Sequence, residues 1–223
     1  MLSPDASLPW AATVQAVPAM IEAIRSQRDR LSEIDGAIGD GDHGVNMSKG
    51  FGLCRQSLDA LPALPPLPQA LQLLARSLMD DIGGSMGPLY GSLFLAMADT
   101  LDSRPRLDAA GFGAALAAGT EAVLDMGGAR AGDKTLVDVL LPARDAYQQA
   151  LASGEGWPQC LRAMQAAAAQ GLESTRMMQA RLGRAARLGP RSVGVLDAGA
   201  ASCELLLRTL AEAVLRAVKP SAG

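Results

Sequence analysis

An all-α fold is expected from three observations. Alanine and leucine dominate over valine, isoleucine and threonine, a balance that favours helix over strand. No segment sustains the two-residue alternation of a half-buried strand. Apolar residues recur at helical spacing between short Gly/Pro-rich breaks. Residues 1–223 therefore read as a single-domain antiparallel bundle of about eight helices, with no internal repeat and no linker.

The elements follow in order. A first helix is expected over residues 10–32. A second begins after an Asp/Gly loop and turns Met47, Phe51 and Cys54 inward. Pro62, Pro65, Pro66 and Pro68 then break the chain. A third helix, 69–80, aligns Leu71, Leu74 and Leu78 on one face. Gly83, Gly84, Ser85, Met86 and Gly87 form a loop, and Pro88 suits the first turn of the helix that runs on to Leu101. Asp108 caps a fifth helix over 109–126. A loop of Gly127, Gly128 and Gly132 precedes a sixth, capped by Asp133 and reaching Tyr147. A seventh spans 159–180. An arginine-rich loop, 181–196, leads to the last helix, which starts after Asp197. Glycine loops thus precede four helices, and helix N-termini gathered at one point would make a strong anion site.

Composition narrows the function classes. The chain carries a net charge of −3, a pI near 5.2 and no dense basic patch, which argues against nucleic acid as a ligand. No apolar run free of Arg, Asp or Gly reaches membrane-spanning length, and no basic leader precedes one, so a cytoplasmic protein with no membrane partner is expected. Cys54, Cys160 and Cys203 are isolated in apolar contexts and read as buried free thiols.

The densest chemistry lies between Asp35 and Met47. Asp35, Asp40 and Asp42 alternate with Gly36, Gly39, Gly41 and Gly44 immediately before a helix. Carboxylates this crowded repel one another unless a cation sits between them. Oxygen-only ligands suit a hard ion such as Mg²⁺, which binds through a few carboxylates together with substrate phosphates. The glycines admit a ligand to the backbone, and the helix start offers free N–H groups to an anion. A metal–phosphate site is the reading, and a solvated glycine turn with an Asp cap is its rival.

Three better-known motifs are excluded. The Gly39–Gly44 glycine spacing fits a dinucleotide fingerprint, but no strand precedes it. Gly44 and Val45 break the order of a calcium-binding EF-hand loop. Asp133 stands where a P-loop would place its lysine. Lys134 is left either to reach a phosphate or to sit in solvent. His43, the single histidine, serves a phosphate, a proton transfer or simply a satisfied helix start. Arg181, Arg184, Arg187 and Arg191 could fold over a nucleotide, and a loop so rich in Gly, Pro and like charge is expected to lack order until an anion arrives.

Taken together, four segments resemble the nucleotide-binding L subunit of dihydroxyacetone kinase over nearly the whole chain. They are Asp35 with 39–47, the stretch 83–91, the stretch 132–138, and Gly183-Arg184-Ala185 with 188–192 and 197–200. The resemblance implies an eight-helix barrel with a nucleotide at one mouth. It implies two Mg²⁺ ions on Asp35, Asp40 and Asp42, and ADP or ATP as the nucleotide. The phosphates would lie on His43, Gly44, Val45 and Asn46, with Ser85 and Met86 beside them. Gly127 and Leu136 would approach the base, and Arg184, Asp197, Ala198 and Gly199 would close the site. This chain has Met86 where the family often carries a hydroxyl, and Ala198 where a proline is common.

The resemblance further implies a phosphotransferase of glycerol metabolism whose ketone is bound by a separate K-type subunit. The phosphoryl group would come from a phosphohistidine carrier of a phosphotransferase system through bound ADP. An ATP-fed kinase of another short ketose is the alternative, as is a nucleotide-loaded module that signals to a transcription regulator. A homodimer also stays open. No residue of this chain is assigned the covalent chemistry.

Overall fold

The computed structural model describes residues 7–81 and 85–218. Among them are a 3-10 turn, Trp10–Thr13, and nine α-helices: α1 (Ala16–Ser26), α2 (Arg28–Gly36), α3 (His43–Asp59), α4 (Leu67–Asp81), α5 (Met86–Asp102), α6 (Ala109–Gly127), α7 (Val137–Ala152), α8 (Trp157–Ser174) and α9 (Ala198–Val218). No strand occurs among the described residues, only an isolated bridge between Leu8 and Leu107. Gly83 and Gly84 of the expected second glycine loop lie outside the described residues.

Eight of the helices close into a ring. Contacts run from α1 to α3, then through α4, α5, α6, α7 and α8 to α9, which returns to α1. The ninth, α2, lies outside this circuit against α3 and α9. The expected first helix over 10–32 is therefore corrected to a 3-10 turn and two helices, broken at Gln27 (φ −105°, ψ 9°). No Gly or Pro marks the break. Its cause is tertiary: α1 is pinned in the ring by Val17, Met20, Ile21 and Ile24, whereas α2 buries only Leu31 and swings away to meet α3.

Three more boundaries shift. Helix α7 begins at Val137 and not at Asp133, because Asp138 accepts hydrogen bonds from the amides of Gly132 (2.5 Å) and Thr135 (2.8 Å). Asp133 instead accepts from the amide of Arg130 at 2.8 Å. Helix α8 ends at Ser174, six residues short of expectation by number, where buried Thr175 donates to the Leu172 carbonyl and accepts from the Asp197 amide. The 181–196 segment contains a 3-10 stretch, Ala185–Ser192, kinked at Gly189 (φ 55°). The Asp108 cap is as expected, accepting from the Gly111 amide at 2.5 Å.

The core is aliphatic with few rings. Phe51, Tyr90 and Phe94 pack as one aromatic group, and Phe112 with Tyr147 as a second. Cys54, Cys160 and Cys203 are buried free thiols, and burial pushes Cys54 up to about 12. Small residues let the helices touch backbone to backbone. A Cβ at Gly44 would collide with the Arg28 carbonyl and crowd Ser32, so α3 starts directly on α2. A Cβ at Gly171 would collide with the Asp138 carbonyl, whose usual helical donor is missing because Pro142 has no N–H.

Two substitutions in α3 should move stability in opposite directions. Gly44→Ala should destabilise by about 1–3 kcal/mol, the range for overpacking a tight contact. Gly52→Ala, where nothing lies within 4 Å of the added carbon, should stabilise by about 0.5–1 kcal/mol. Urea denaturation of both variants checks the pair; equal effects would show that α2 and α3 have room to part.

Candidate functional site

The odd-numbered helices α3, α5, α7 and α9 begin at one mouth of the ring, and α2 and α6 end there. Residues from all six ends line one cavity of about 820 Å³. The four helix starts that glycine loops precede are thus gathered, as the anion-site reading requires.

One wall is acidic. Asp35 projects from the last turn of α2, because that helix extends further than expected. The Gly39 amide bonds back to the Asp35 carbonyl at 2.5 Å, and Gly41 takes a left-handed conformation (φ 78°) that turns the chain into α3. This folding brings one carboxylate oxygen each of Asp35, Asp40 and Asp42 within 4.8 Å of one another. Asp42 precedes α3 but makes no side-chain capping bond. The first amide of that helix, at His43, is instead 3.4 Å from Asp35 Oδ2. Arg184 reaches across the mouth to this cluster, pairing with Asp40 and lying 3.7 Å from Asp42. A cation already bridges two of the three carboxylates, which fits their reading as a cation seat.

Beside this wall, a polar chain ties three helices together. His43 is 6% exposed, and its Nε2 lies 2.9 Å from Ser202 Oγ of α9. Ser202 Oγ is 2.7 Å from the Tyr90 hydroxyl of α5, which donates to the Gly199 carbonyl at 3.0 Å. Burial lowers His43 to about 4, although Asp35 opposes this by its charge. The ring is therefore neutral at physiological pH. Asp197 caps α9 by accepting from the Ala200 amide at 2.7 Å. Burial raises its carboxyl to about 7, against the pull of that amide and of Lys134.

A third face is apolar. Leu89, Val123, Met126 and Leu136 line it, with Gly127 at the end of α6. A side chain at Gly127 would press on Leu89. Spacing could not single out these apolar residues, because i, i+3 and i+4 positions read equally well as core. Asn46, Ser85, Met86, Arg184, Ala198 and Gly199 also line the cavity, as the site reading requires. Gly44 and Val45 do not: Gly44 is pressed on α2, and Val45 points away with 45% exposure.

Lys134 borders the cavity but is not the solvated surface residue that was one of its two expected roles. It is 2% exposed, and its ammonium donates to the carbonyls of Met178 (3.2 Å), Ser192 (2.6 Å) and Val195 (2.6 Å). Further hydrogen bonds tie the 181–196 segment to its flanks. Ser192 Oγ accepts from the Ala180 amide, the Arg181 amide bonds to the Asp133 carbonyl, and the Gly194 amide bonds to the Arg176 carbonyl.

The buried histidine sets a pH dependence. Between pH 6.5 and about 4 the unfolded chain takes up a proton at His43 that the folded chain refuses. Stability should therefore fall as pH drops through that window and be unaffected by this group above it. In His43→Gln the slope of unfolding free energy should be shallower there, by up to about 1.4 kcal/mol per pH unit. Urea titrations at stepped pH measure it; an unchanged slope would mean that the ring is solvated.

Comparison with known proteins places this cavity in context. A family profile described as DAK2 domain matches residues 37–212. The PTS-dependent dihydroxyacetone kinase ADP-binding subunit DhaL of Lactococcus lactis is 34% identical over 96% of this chain and 100% of its own length. The PEP-dependent counterpart of Escherichia coli is 34% identical over 83% of this chain and 88% of its own. D-erythrulose kinase of Mycolicibacterium smegmatis is equally 34% identical, over 90% of this chain, which spans 35% of that longer protein. The crystal structure of the C. freundii dihydroxyacetone kinase in complex with AMP-PNP and Mg²⁺ superposes with a TM-score of 0.65 at 26% identity, over 91% of this chain and 34% of that one. With a profile match over most of its length and relatives aligned nearly end to end, the chain belongs to the DAK2-domain family, alongside the ADP-binding L subunits of dihydroxyacetone kinase.

Proposed function

We propose that the cavity binds a Mg²⁺–nucleotide and that the chain relays a phosphoryl group to dihydroxyacetone held on a separate K-type subunit. The observation that carries this reading is the acidic cluster and Arg184 meeting across a mouth whose other face is apolar. Such a mouth offers a cation seat, an anion clamp and a base pocket side by side. Asp35, Asp40 and Asp42 would hold the metal, as a pair of ions in this reading. A metal held there would supply neutralisation of phosphate charge.

The protein's own part is positioning. The His43–Ser202–Tyr90 chain fixes the start of α3 relative to α5 and α9. Gly44 and Val45 would act through their backbone amides, since their side positions face elsewhere. Asn46, Ser85 and Met86 border the phosphate side, and Gly127 and Leu136 flank the base. Arg184 would exchange its carboxylates for phosphate oxygens, which match its fork equally well. The Asp197-Ala198-Gly199 turn closes the far side.

The names of the E. coli and L. lactis relatives support feeding by a phosphohistidine carrier through bound ADP. Equal identity to an erythrulose kinase leaves the ketose to the K-type partner. A single nucleotide-binding domain over 1–223 is supported by α1, which precedes the matched residues yet closes the ring on α9. A non-catalytic signalling module remains the second reading. It is kept open by the absence of a ketone-holding residue in this chain, whose one histidine is engaged with Ser202. Partnership with a transcription regulator and homodimer formation belong to the same proposal. No described helix is long and apolar enough to cross a membrane.

Mixing the chain with a K-type subunit, dihydroxyacetone, Mg²⁺ and either ATP or a phosphocarrier system should yield the phosphate ester. Absence of transfer in both arms, with nucleotide still bound, would favour the signalling reading. Calorimetry separates the charges further. Arg184→Ala should tighten Mg²⁺ binding without nucleotide, because a competing cation is gone. It should weaken Mg²⁺–ADP binding by about 1–3 kcal/mol, because a charge-assisted phosphate contact is lost. Asp40→Asn should weaken both; unchanged affinities would reduce the acidic loop to a turn.

A further inference from the structure

Lys134 is the buried cation that the proposed chemistry leaves unused. Its three ammonium protons are matched by three carbonyls, so it has no donor left for a phosphate. Those carbonyls come from both ends of one loop. Met178 lies where the chain leaves the end of α8, and Ser192 and Val195 lie where it returns towards α9. The loop between them carries Arg184, which pairs with Asp40 across the cavity. Its tip is exposed from Arg181 to Arg184, so no hydrophobic core of its own holds it down.

We propose that Lys134 is a positioning residue that staples the two ends of this loop together, so that the segment closes over the cavity as one body and presents Arg184 at a fixed height. The inference rests on the reading of the cavity as a nucleotide site, but the staple itself is a property of the protein alone.

Local geometry supports the assignment. Lys134 is the one non-glycine residue with positive φ (63°) among the described residues, a conformation that side-chain-bearing residues adopt sparingly. The turn that enforces it is held by Asp138 on the Gly132 and Thr135 amides, on either side of Lys134. The backbone is thus bent to aim this ammonium inward. Asp197 supplies a favourable charge nearby, while burial and Arg176 lower the lysine's affinity for its proton. Compact surface loops with adjoining ends are usually packed by their own side chains; here an internal cation takes that part. A carbonyl cluster around an ammonium is directional, so the loop is held in register as well as held down.

Hydrogen exchange followed by mass spectrometry tests the staple, first without ligand. In Lys134→Met, peptides covering 178–195, with the amides of Arg181, Val193 and Gly194, should exchange at least about tenfold faster, the effect of losing roughly one charge-assisted hydrogen bond. Peptides from α4 and α5 should be unchanged. With Mg²⁺–ADP, nucleotide release should accelerate by a similar factor. Lys134→Gly, which suits the backbone angle, should behave alike and carries the comparison if the Met variant does not fold. Loop exchange within twofold of the parent, or faster exchange spread evenly over the ring, would overturn the proposal. So would failure of both variants to fold, since that would make Lys134 a support of the whole bundle. If the parent protein binds no Mg²⁺–ADP, the nucleotide reading fails, and the ligand-free arm still decides the staple.

Discussion

Mutual repulsion among Asp35, Asp40 and Asp42 is the constraint around which the mouth of the ring is arranged. Their oxygens come within 4.8 Å of one another because α2 and α3 abut backbone to backbone and Gly41 turns the short loop between them. Carboxylates gathered in this way favour a cation between them. The protein answers with Arg184, brought from far along the chain by the 181–196 loop. The same guanidinium is suited to phosphate, so one residue could serve two different anions.

The two basic residues of this region divide their work by burial. Arg184 is 59% exposed on its side chain and free to change partners. Lys134 is buried at the cavity wall and matched by three carbonyls, so leaving them would cost its ammonium three hydrogen bonds. An exposed contact at the tip and a buried one at the base fit the proposed closure of the loop over the cavity as one body. His43 belongs with the fixed group: its neutral ring and Ser202 join α3 to α9 at the cavity wall.

Scarcity of aromatic residues shapes the rest. With rings at 3% of the chain, core volume comes from Leu, Ala and Met, and helices approach closely at glycine. Gly44 and Gly171 mark two such approaches, and each lies beside a site element, the start of α3 and the Asp138 turn under Lys134. Close packing of this kind makes the mouth stiff, which is what a site built from converging helix ends requires.

The all-α class, the Asp108 and Asp197 caps and the acidic loop were legible in the sequence because each rests on local chemistry: helical spacing, a short polar side chain before a helix, and charges adjacent in the chain. The gathering of four helix starts at one mouth was readable only as a condition, and ring closure supplied it. The break at Gln27 was hidden, since no residue there disfavours helix and the cause lies in what α1 and α2 each pack against. The start of α7 was misread for a similar reason: Asp133 suits a cap by position, but in the folded turn its carboxylate meets the Arg130 amide, and Asp138, inside the helix, holds the Gly132 and Thr135 amides. Lys134 looked like a surface or phosphate-binding lysine, because a single charged residue carries no mark of burial in its own neighbourhood. Its three acceptors lie more than forty residues away along the chain, and contacts at that range are set by the packing of whole elements. Sequence by itself determined which residues could do charge chemistry; tertiary structure decided which of those charges face the cavity and which hold it in shape.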